Sequence, residues 1–442
     1  MKFSAKSLVE HLDAELYGPP VEIDGVSIDS RTVEANELFV PIVAERDGHE
    51  FIETAVQAGA SAFLTSAENP KPVGAASAFA VADTIEALGR IGGLARRQLG
   101  GPVIAITGSV GKTSTKDLTL AACSQALNTH ASVNSFNNEL GVPLTLANAP
   151  DGTEVVIAEM GARGIGHIRD LCAIAQPTIG VVTRVALAHS ELFGSLQGIA
   201  QAKGELVEAL PASGVAVLNA DDPNVAAMAR RTDASVITFG CESGDVRAVD
   251  IELDDLLRPS FTLITPHGDY QVKLPVMGEH MALNAAGAVA AAISAGVGVS
   301  DAVAGIQQAE LSRWRMEVVR APNGLLVIND AYNANPTSMR AALDSLARTK
   351  ASDRVAVVGA MAELGAEGEA EHLAVANEAA ELGIRLIAVD APEYGEQAVH
   401  VNGRGEVRSV LGDMGEGIAV LVKGSRVAGL EAVAAELIEA SS

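Results

Sequence analysis

From Val103 onward the sequence repeats one pattern, in which a short apolar run is followed by a helical segment and then by another apolar run. Strands that alternate with helices in this way are typical of βαβ units, with parallel strands and helices on both faces of the sheet. The sequence therefore predicts an α/β fold with a doubly wound, mostly parallel central sheet. The runs assigned to its strands are Val103–Thr107, Val155–Glu159, Ile179–Thr183 and Val215–Asn219.

The same alternation divides the 442 residues into three predicted domains. A helix predicted over Thr84–Gln98 ends at Leu99-Gly100-Gly101-Pro102, a strong stop signal, and the first boundary is placed there. We predict a small α/β domain over residues 1–99, a central domain over 100–310 and a Rossmann-like α/β domain over 311–442.

Two further segments of the chain carry recognisable patterns. Asp245–Leu274 alternates polar and apolar residues, which predicts an antiparallel flap, and an Ala-rich helix is predicted over Met281–Ala295. The third domain again contains buried-type strands, but it has no phosphate loop of its own. These predicted strands are Leu325–Asn329, Arg354–Val358, Leu386–Val389 and Ile418–Val422.

The charge balance and the cysteines limit the possible partners. The chain has 31 Lys and Arg against 56 Asp and Glu, a net charge of −25, which repels phosphate backbones, so we expect no nucleic-acid partner. Three scattered cysteines without a C-x-x-C suit a reducing compartment. Glu10 and Asp13 interrupt any signal-peptide core, and no apolar stretch is long enough to span a bilayer. We therefore expect a soluble, cytoplasmic protein.

A glycine-rich loop follows the strand at Val103. It reads Thr107-Gly108-Ser109-Val110-Gly111-Lys112-Thr113-Ser114 and leads into a predicted helix. Strand, glycine turn, Lys-Thr and helix together predict a phosphate-binding loop, because the glycines let backbone N–H groups converge on phosphate oxygens. Lys112 is expected to reach the β- and γ-phosphates and Thr113 to bind Mg²⁺. The alternative is a glycine turn that merely precedes a helix.

Glu159 ends another predicted strand, Val155–Glu159. Ligands of doubly wound sheets gather at the carboxyl edge, so this side chain is expected beside the phosphate loop. A carboxylate in that position suits Mg²⁺, which prefers oxygen ligands and retains several waters.

The phosphate loop is short, because only two residues separate Gly108 from Gly111, and T-G-S-V-G-K-T resembles the loop of the Mur ligase family. Three further segments are similar to motifs of that family: N-N-E-L-G-V-P over Asn137–Pro143, L-N-A-D-D-P over Leu218–Pro223, and the pair His280 and Asn284. The resemblance covers essentially the whole chain.

The resemblance implies a role for each matched residue. ATP is expected at Gly108, Ser109, Gly111, Lys112, Thr113, Ser114, Asn284, Arg315 and Asp330. Two Mg²⁺ ions are expected at Thr113, Glu159, His189 and Lys203, with Lys203 carbamylated and with Lys112, His189 and Lys203 acting in catalysis. A UDP-linked substrate is expected at Ser27, Asp29, Ser30, Arg31, Asp47 and His49.

The segment Asp330–Met339, D-A-Y-N-A-N-P-T-S-M, resembles the family member that joins D-alanyl-D-alanine to a UDP-N-acetylmuramoyl-tripeptide through an acyl phosphate. Tyr332, Asn333 and Asn335 are then expected near the dipeptide, and the enzyme is expected to be a monomer. Two alternatives remain, namely another ligase of the superfamily and a regulatory P-loop NTPase. Lys203 could instead be an exposed helix lysine that pairs with Glu205 or Glu208, and the third residue of the tripeptide, lysine or diaminopimelate, stays open.

Overall fold

The computed structural model describes residues 1–67, 70–133, 136–186, 193–362 and 364–439. The first unit has a five-stranded sheet in the order β2-β7-β6-β5-β4 and a separate β1–β3 pair. Its strands and helices are β1 (Lys2–Ser4), α1 (Ala5–Leu12), β2 (Glu15–Tyr17), β3 (Glu22–Asp24), β4 (Val26–Ser27), β5 (Leu38–Phe39), α2 (Ile52–Ala58), β6 (Ala62–Thr65), β7 (Ser77–Ala80) and α3 (Thr84–Gln98).

The α3 helix has the bounds that the sequence predicts. Asp83 caps its start by accepting the N–H groups of Ile85 and Glu86, and the helix ends at Gln98, with Leu99 as its C-cap just before the two glycines. Its buried face packs against helices of the central unit, so one apolar cluster runs from the first sheet to the central sheet. Gly92 permits this approach, because a Cβ there would lie 2.5 Å from the Cβ of Pro143.

The central unit is built on a nine-stranded sheet in the order β16-β15-β14-β13-β12-β11-β8-β10-β9. Strands β8 to β14 pair in parallel, whereas the predicted flap extends the same sheet as three antiparallel strands. The bounds are β8 (Val103–Thr107), α4 (Lys112–Cys123), β9 (Thr129–Ala131), α5 (Gly141–Ala147), β10 (Val155–Glu159), α6 (His167–Ala175), β11 (Ile179–Val182), α7 (Leu196–Glu208), β12 (Val215–Asn219), α8 (Pro223–Ala226), β13 (Ser235–Gly240), β14 (Val246–Leu253), β15 (Pro259–Thr265), β16 (Gly268–Lys273), α9 (His280–Ser294) and α10 (Val299–Ile306).

Helices cover both faces of this sheet. The alanine-rich α9 packs against α4 and the strands, and its residues Met281 to Ala292 are almost all buried on that side. The chain passes from β8 to β9 and returns to β10 before it crosses to β11 on the other side of β8. Ligands of such sheets bind at the carboxyl ends of the strands beside this change of direction.

The third unit has a six-stranded sheet in the order β17-β18-β22-β19-β20-β21, parallel except for the edge strand β17. Strand β22 inserts between β18 and β19, so chain segments far apart in sequence become neighbours. The bounds are β17 (Glu317–Arg320), β18 (Leu326–Asp330), α11 (Pro336–Ala347), β19 (Asp353–Val358), α12 (Gly368–Glu381), β20 (Arg385–Val389), β21 (Val399–Val401), α13 (Val407–Leu411), β22 (Ile418–Lys423) and α14 (Glu431–Glu439).

The third unit docks on the central unit through apolar and charged contacts. Leu257 and Met277 of the central unit join the core of the third sheet. Ser312, in the connecting segment, donates its N–H and its hydroxyl to the carboxylate of Asp117 at 2.8 and 3.1 Å. Arg348 pairs with Glu279 across the same interface. In the parts of the chain that the structure describes, no helix has the length and apolar character needed to cross a membrane.

Candidate functional site

A cavity of about 960 Å³ lies where the three units meet. Ile28 of the first unit, the phosphate loop of the central unit and Tyr332 and Lys423 of the third unit all line it. A molecule bound in this cavity therefore contacts groups supplied by each of the three sheets.

The two glycines of the phosphate loop are required by its geometry. Gly108 has φ +148°, and a Cβ there would lie 2.0 Å from Thr183 Oγ1. Gly111 has φ +84°, and a Cβ there would lie 2.9 Å from Asn284 Oδ1. The predicted nucleotide residue Asn284 is therefore packed directly against the phosphate loop.

Hydrogen bonds fasten this loop to the segment that follows β11. Ser109 N–H donates to the Arg184 carbonyl at 2.7 Å, and Ala186 N–H donates to Ser109 Oγ at 3.0 Å. Lys112 opens helix α4, and its Nζ donates to the Gly108 carbonyl at 2.9 Å. The first turn of α4, which holds the buried side chains Thr113 and Ser114, lines the cavity, and the backbone N–H groups of a first helical turn can bind an anion.

Glu159 ends β10 beside this loop and is almost fully buried. Its Oε1 accepts a 2.7 Å hydrogen bond from Asn137 Nδ2. Its Oε2 is also buried and has no hydrogen-bond partner within the described part of the chain. Burying a carboxylate oxygen without a hydrogen-bond partner costs free energy, so this oxygen is suited to bind a cation.

Lys203 lies on α7 and is only 4% exposed, so it is not an exposed helix lysine. Its Nζ lies 5.8 Å from the centre of the Phe193 ring. Burial and the nearby Lys112 lower the pKa of Lys203 to about 7, although Glu159 and Glu205 oppose this shift. The candidate pairing partners are occupied elsewhere: Glu205 accepts N–H groups from Gly166 and Arg169, and Glu208 pairs with Arg231.

Burial also lowers the pKa of Lys112, and Arg315 acts in the same direction while Glu159 opposes it. Lys112, Lys203 and Glu159 thus form an electrostatically coupled group beside the cavity. Arg315 adds a positive charge beside this group in a protein of high net negative charge, and a phosphate ligand requires such a local positive charge.

The third unit places Arg315 over the phosphate loop. Arg315 Nη2 donates to Thr113 Oγ1 at 3.1 Å, and its guanidinium carbon lies 4.1 Å from the centre of the Tyr332 ring. The Nε of Arg315 is buried and without a partner among the described residues. Trp314, the chain's single tryptophan, stacks instead with Arg426 at 4.5 Å.

The other predicted residues of the third unit have distinct contacts. Asp330 is buried and pairs with Lys423, and Asn333 offers its backbone carbonyl to the same lysine. Asn335 caps α11 in a reciprocal capping box with Ser338. The sequence analysis did not include Lys423 in the site, although it placed a buried-type strand over Ile418–Val422, directly before this lysine.

The predicted UDP-binding turn lies outside the lining of this cavity, apart from its neighbour Ile28. Asp29 holds the exposed Arg31 with two side-chain hydrogen bonds of 2.8 and 2.6 Å, and this contact lowers the pKa of Asp29 to about 2. The other predicted residues of this site are arranged locally: Ser27 Oγ donates to the Asp29 carbonyl, Ser30 is buried, and Asp47 Oδ1 lies 2.7 Å from His49 Nδ1.

His189 lies outside the described residues, so its predicted metal-binding role stays a prediction. The remaining residues fit a divalent cation, because Thr113 supplies a hydroxyl and Glu159 a carboxylate oxygen that lacks a partner. No group of three or more His, Cys, Asp or Glu suited to a metal occurs in the described ranges. Mg²⁺ tolerates so few protein ligands, since it retains waters and binds phosphate oxygens.

The fold and the cavity define a P-loop nucleotide-binding protein whose loop is covered by a second α/β unit. Three family models match the chain: "Mur ligase family, catalytic domain" over residues 22–93, "Mur ligase middle domain" over 106–292 and "Mur ligase, glutamate ligase domain" over 314–426. A UDP-N-acetylmuramoyl-tripeptide–D-alanyl-D-alanine ligase from Mycobacterium tuberculosis (strain CDC 1551 / Oshkosh) is 39% identical, over 93% of this chain and 92% of its own. The chain therefore belongs to the Mur ligase family.

Solved structures agree with this assignment. MurF from Acinetobacter baumannii superposes with a TM-score of 0.89 at 31% identity, and 99% of each chain is covered. MurF ligase from Thermotoga maritima, solved in complex with ADP, gives 0.82 at 26% identity, covering 94% of this chain and 97% of that one. The predicted three-part α/β architecture is confirmed by this likeness.

Proposed function

We propose that this chain is an ATP-dependent ligase that joins D-alanyl-D-alanine to a UDP-N-acetylmuramoyl-tripeptide in peptidoglycan precursor synthesis. The observation that carries the proposal is the cavity shared by the three units, in which the phosphate loop, the Lys112–Lys203–Glu159 group and Arg315 face one another. The names of the relatives at 39% and 31% identity support the same reaction.

The three sheets suggest a division of labour among domains 1–99, 100–310 and 311–442. The first domain holds the UDP part of the substrate at the Asp29–Arg31 turn, where a guanidinium already oriented by a carboxylate can grip a diphosphate. The central domain holds ATP, and the third domain covers it. Tyr332 and Asn333 line the cavity from the third domain and are placed to meet the incoming dipeptide.

The chemical difficulty is to bring an anionic carboxylate up to a triphosphate. Lys112, the N–H groups at the start of α4 and Arg315 supply positive charge where the γ-phosphoryl group is transferred. The terminal carboxylate oxygen of the tripeptide attacks the γ-phosphorus and displaces ADP. The amine of D-alanyl-D-alanine then attacks the acyl phosphate, loses a proton and expels phosphate. Closure by the third domain excludes the water that would hydrolyse the acyl phosphate.

Two Mg²⁺ ions would be held here, one by Thr113 and Glu159 and the other by Lys203 together with His189, which lies outside the described residues. When bound, they neutralise phosphate charge. An ammonium group has no lone pair for a metal, whereas a carbamate offers oxygen. The lowered pKa of Lys203 favours the neutral amine that reacts with CO₂. Carbamylation of Lys203 is tested by ¹³C NMR of protein equilibrated with ¹³CO₂, where Lys203→Met must lose the carbamate resonance that wild type gives.

The function is tested by phosphate release from ATP with both substrates present, using tripeptides that end in lysine or in diaminopimelate. We expect release to require ATP, one of these UDP-tripeptides and D-alanyl-D-alanine together, and single amino acids to be poor replacements for the dipeptide. Efficient turnover with a single amino acid would identify another ligase of the superfamily. Phosphate release that depends on neither the UDP-tripeptide nor the dipeptide would identify an NTPase.

A further inference from the structure

A buried ion pair joins two neighbouring strands at the carboxyl edge of the third sheet. Asp330 ends β18 and Lys423 ends β22, and the two residues are direct partners in the parallel register. Lys423 is 1% exposed, and its Nζ donates to Asp330 Oδ2 at 2.5 Å. A pair this deeply buried costs desolvation, so it calls for a role beyond stability.

The Asp330 side of the pair leads to the arginine at the phosphate loop. Asp330 Oδ1 accepts the N–H of Met316 at 3.1 Å. Met316 and Trp314, the two neighbours of Arg315, have φ +50° and +62°, a costly left-handed backbone that needs an anchor. This bond anchors the segment that delivers Arg315 to Thr113.

The Lys423 side of the pair leads to the ring stacked on that arginine. Lys423 Nζ also donates to the Asn333 carbonyl at 2.9 Å. Asn333 follows Tyr332, whose ring centre lies 4.1 Å from the guanidinium carbon of Arg315. One buried ammonium group thus holds both the backbone that carries Arg315 and the loop that carries its stacking partner.

We propose that Lys423 is a positioning residue that fixes Arg315 and Tyr332 over the phosphate loop and so sets the affinity of the closed site for the nucleotide. The proposal rests on the proposed function only in that ATP binds at this loop. Lys423 acts through Arg315, so its effect depends on the presence of that arginine.

The test is a double-mutant cycle of Lys423→Met and Arg315→Ala, with the dissociation constant of a fluorescent ADP analogue and the KM for each substrate as readouts. In the wild-type background, we expect Lys423→Met to raise both the dissociation constant of the ADP analogue and the KM for ATP by about tenfold. The KM for the UDP-tripeptide is expected to change less than about twofold. In the Arg315→Ala background, the same substitution is expected to change nucleotide affinity less than about twofold.

Arg340→Met is the matched control, because Arg340 makes ion pairs with Glu371 and Glu378 in the same unit at 2.8 and 3.2 Å but does not line the cavity. It is expected to lower stability without changing nucleotide affinity. If Lys423→Met is recovered unfolded, Asp330→Asn replaces it. This variant must give a smaller rise in the dissociation constant of the ADP analogue, and that rise must also vanish in the Arg315→Ala background.

Unchanged nucleotide affinity in Lys423→Met, or a full effect that persists without Arg315, overturns the proposal. The ADP analogue reports on the loop even if wild type ligates nothing. Failure of the proposed function is therefore distinguishable from failure of this inference.

Discussion

In the absence of CO₂ and metal, the buried Lys203 lowers the free energy of unfolding of the protein. Replacing Lys203 with methionine should therefore stabilise the folded protein. Its pKa is about 7 in the folded protein, against about 10.4 for a lysine in an unfolded chain. Between these values the unfolded chain binds more protons than the folded protein, so the free energy of unfolding of wild type rises with pH. It rises by up to about 1.4 kcal/mol per pH unit.

Lys203→Met lacks this titration. The linkage relation makes the variant more stable than wild type by about 4 kcal/mol at pH 7 and by about 2 kcal/mol at pH 9, apart from a constant packing contribution. The quantity that tests the prediction is therefore the decrease, from pH 7 to pH 9, in the stability difference between Lys203→Met and wild type. Urea denaturation followed by circular dichroism, in buffers free of CO₂ and Mg²⁺, measures it.

Lys6→Met is the matched control for this experiment, because the Lys6 side chain is 84% exposed. Its stability difference from wild type should not change between pH 7 and pH 9. If the stability difference between Lys203→Met and wild type stays constant or grows with pH, burial does not lower the pKa of Lys203.

Three further predictions concern catalysis and substrate binding. Lys112→Ala should lower ligation at least about a thousandfold, because it removes charge stabilisation at the transferred phosphoryl group. Circular dichroism should report an unchanged fold, and near-normal turnover would contradict the phosphate-loop assignment. Arg31→Ala should raise the KM for the UDP-tripeptide about tenfold and leave that for ATP unchanged, with little rescue by Arg31→Lys, because only arginine binds a diphosphate with a fork. Equal effects on both KM values would show that this turn does not form the UDP-binding site. Gly111→Ala should weaken ATP binding in calorimetry, because φ +84° and the contact with Asn284 Oδ1 leave no room for a Cβ. Unchanged affinity would mean that the loop relaxes freely.

Elements whose signals are local could be predicted from the sequence. The helix Thr84–Gln98 has its cap, Asp83, and its stop, Gly100-Gly101-Pro102, within a few residues of its ends, and its predicted bounds are confirmed. The strand Val103–Thr107 is likewise confirmed, since four buried apolar residues and the buried Thr107 precede the glycine turn.

Short edge strands could not be predicted, because three residues such as Lys2–Ser4 or Thr129–Ala131 are too few to carry a periodic pattern. The flap at 245–274 was predicted as antiparallel, and this is confirmed. Its attachment to the central sheet through β13 depends on packing that no local pattern records.

The site residues divide in the same way. The loop from Gly108 to Ser114 is contiguous and could be predicted, but Lys423 lies 93 residues from its partner Asp330. Their pairing follows from the insertion of β22 beside β18, which only the tertiary fold determines. The burial of Lys203, which lowers its pKa, is also a property of the packed protein.

In the proposed reaction, ATP activates the terminal carboxylate of the tripeptide by phosphorylating it. The most direct test uses UDP-tripeptide labelled with ¹⁸O in that carboxylate, together with ATP and D-alanyl-D-alanine, and mass spectrometry of the released phosphate. Each released phosphate is expected to carry one labelled oxygen, because the carboxylate oxygen that attacks the γ-phosphorus leaves with it. Release of unlabelled phosphate during ligation would show that the carboxylate is not phosphorylated.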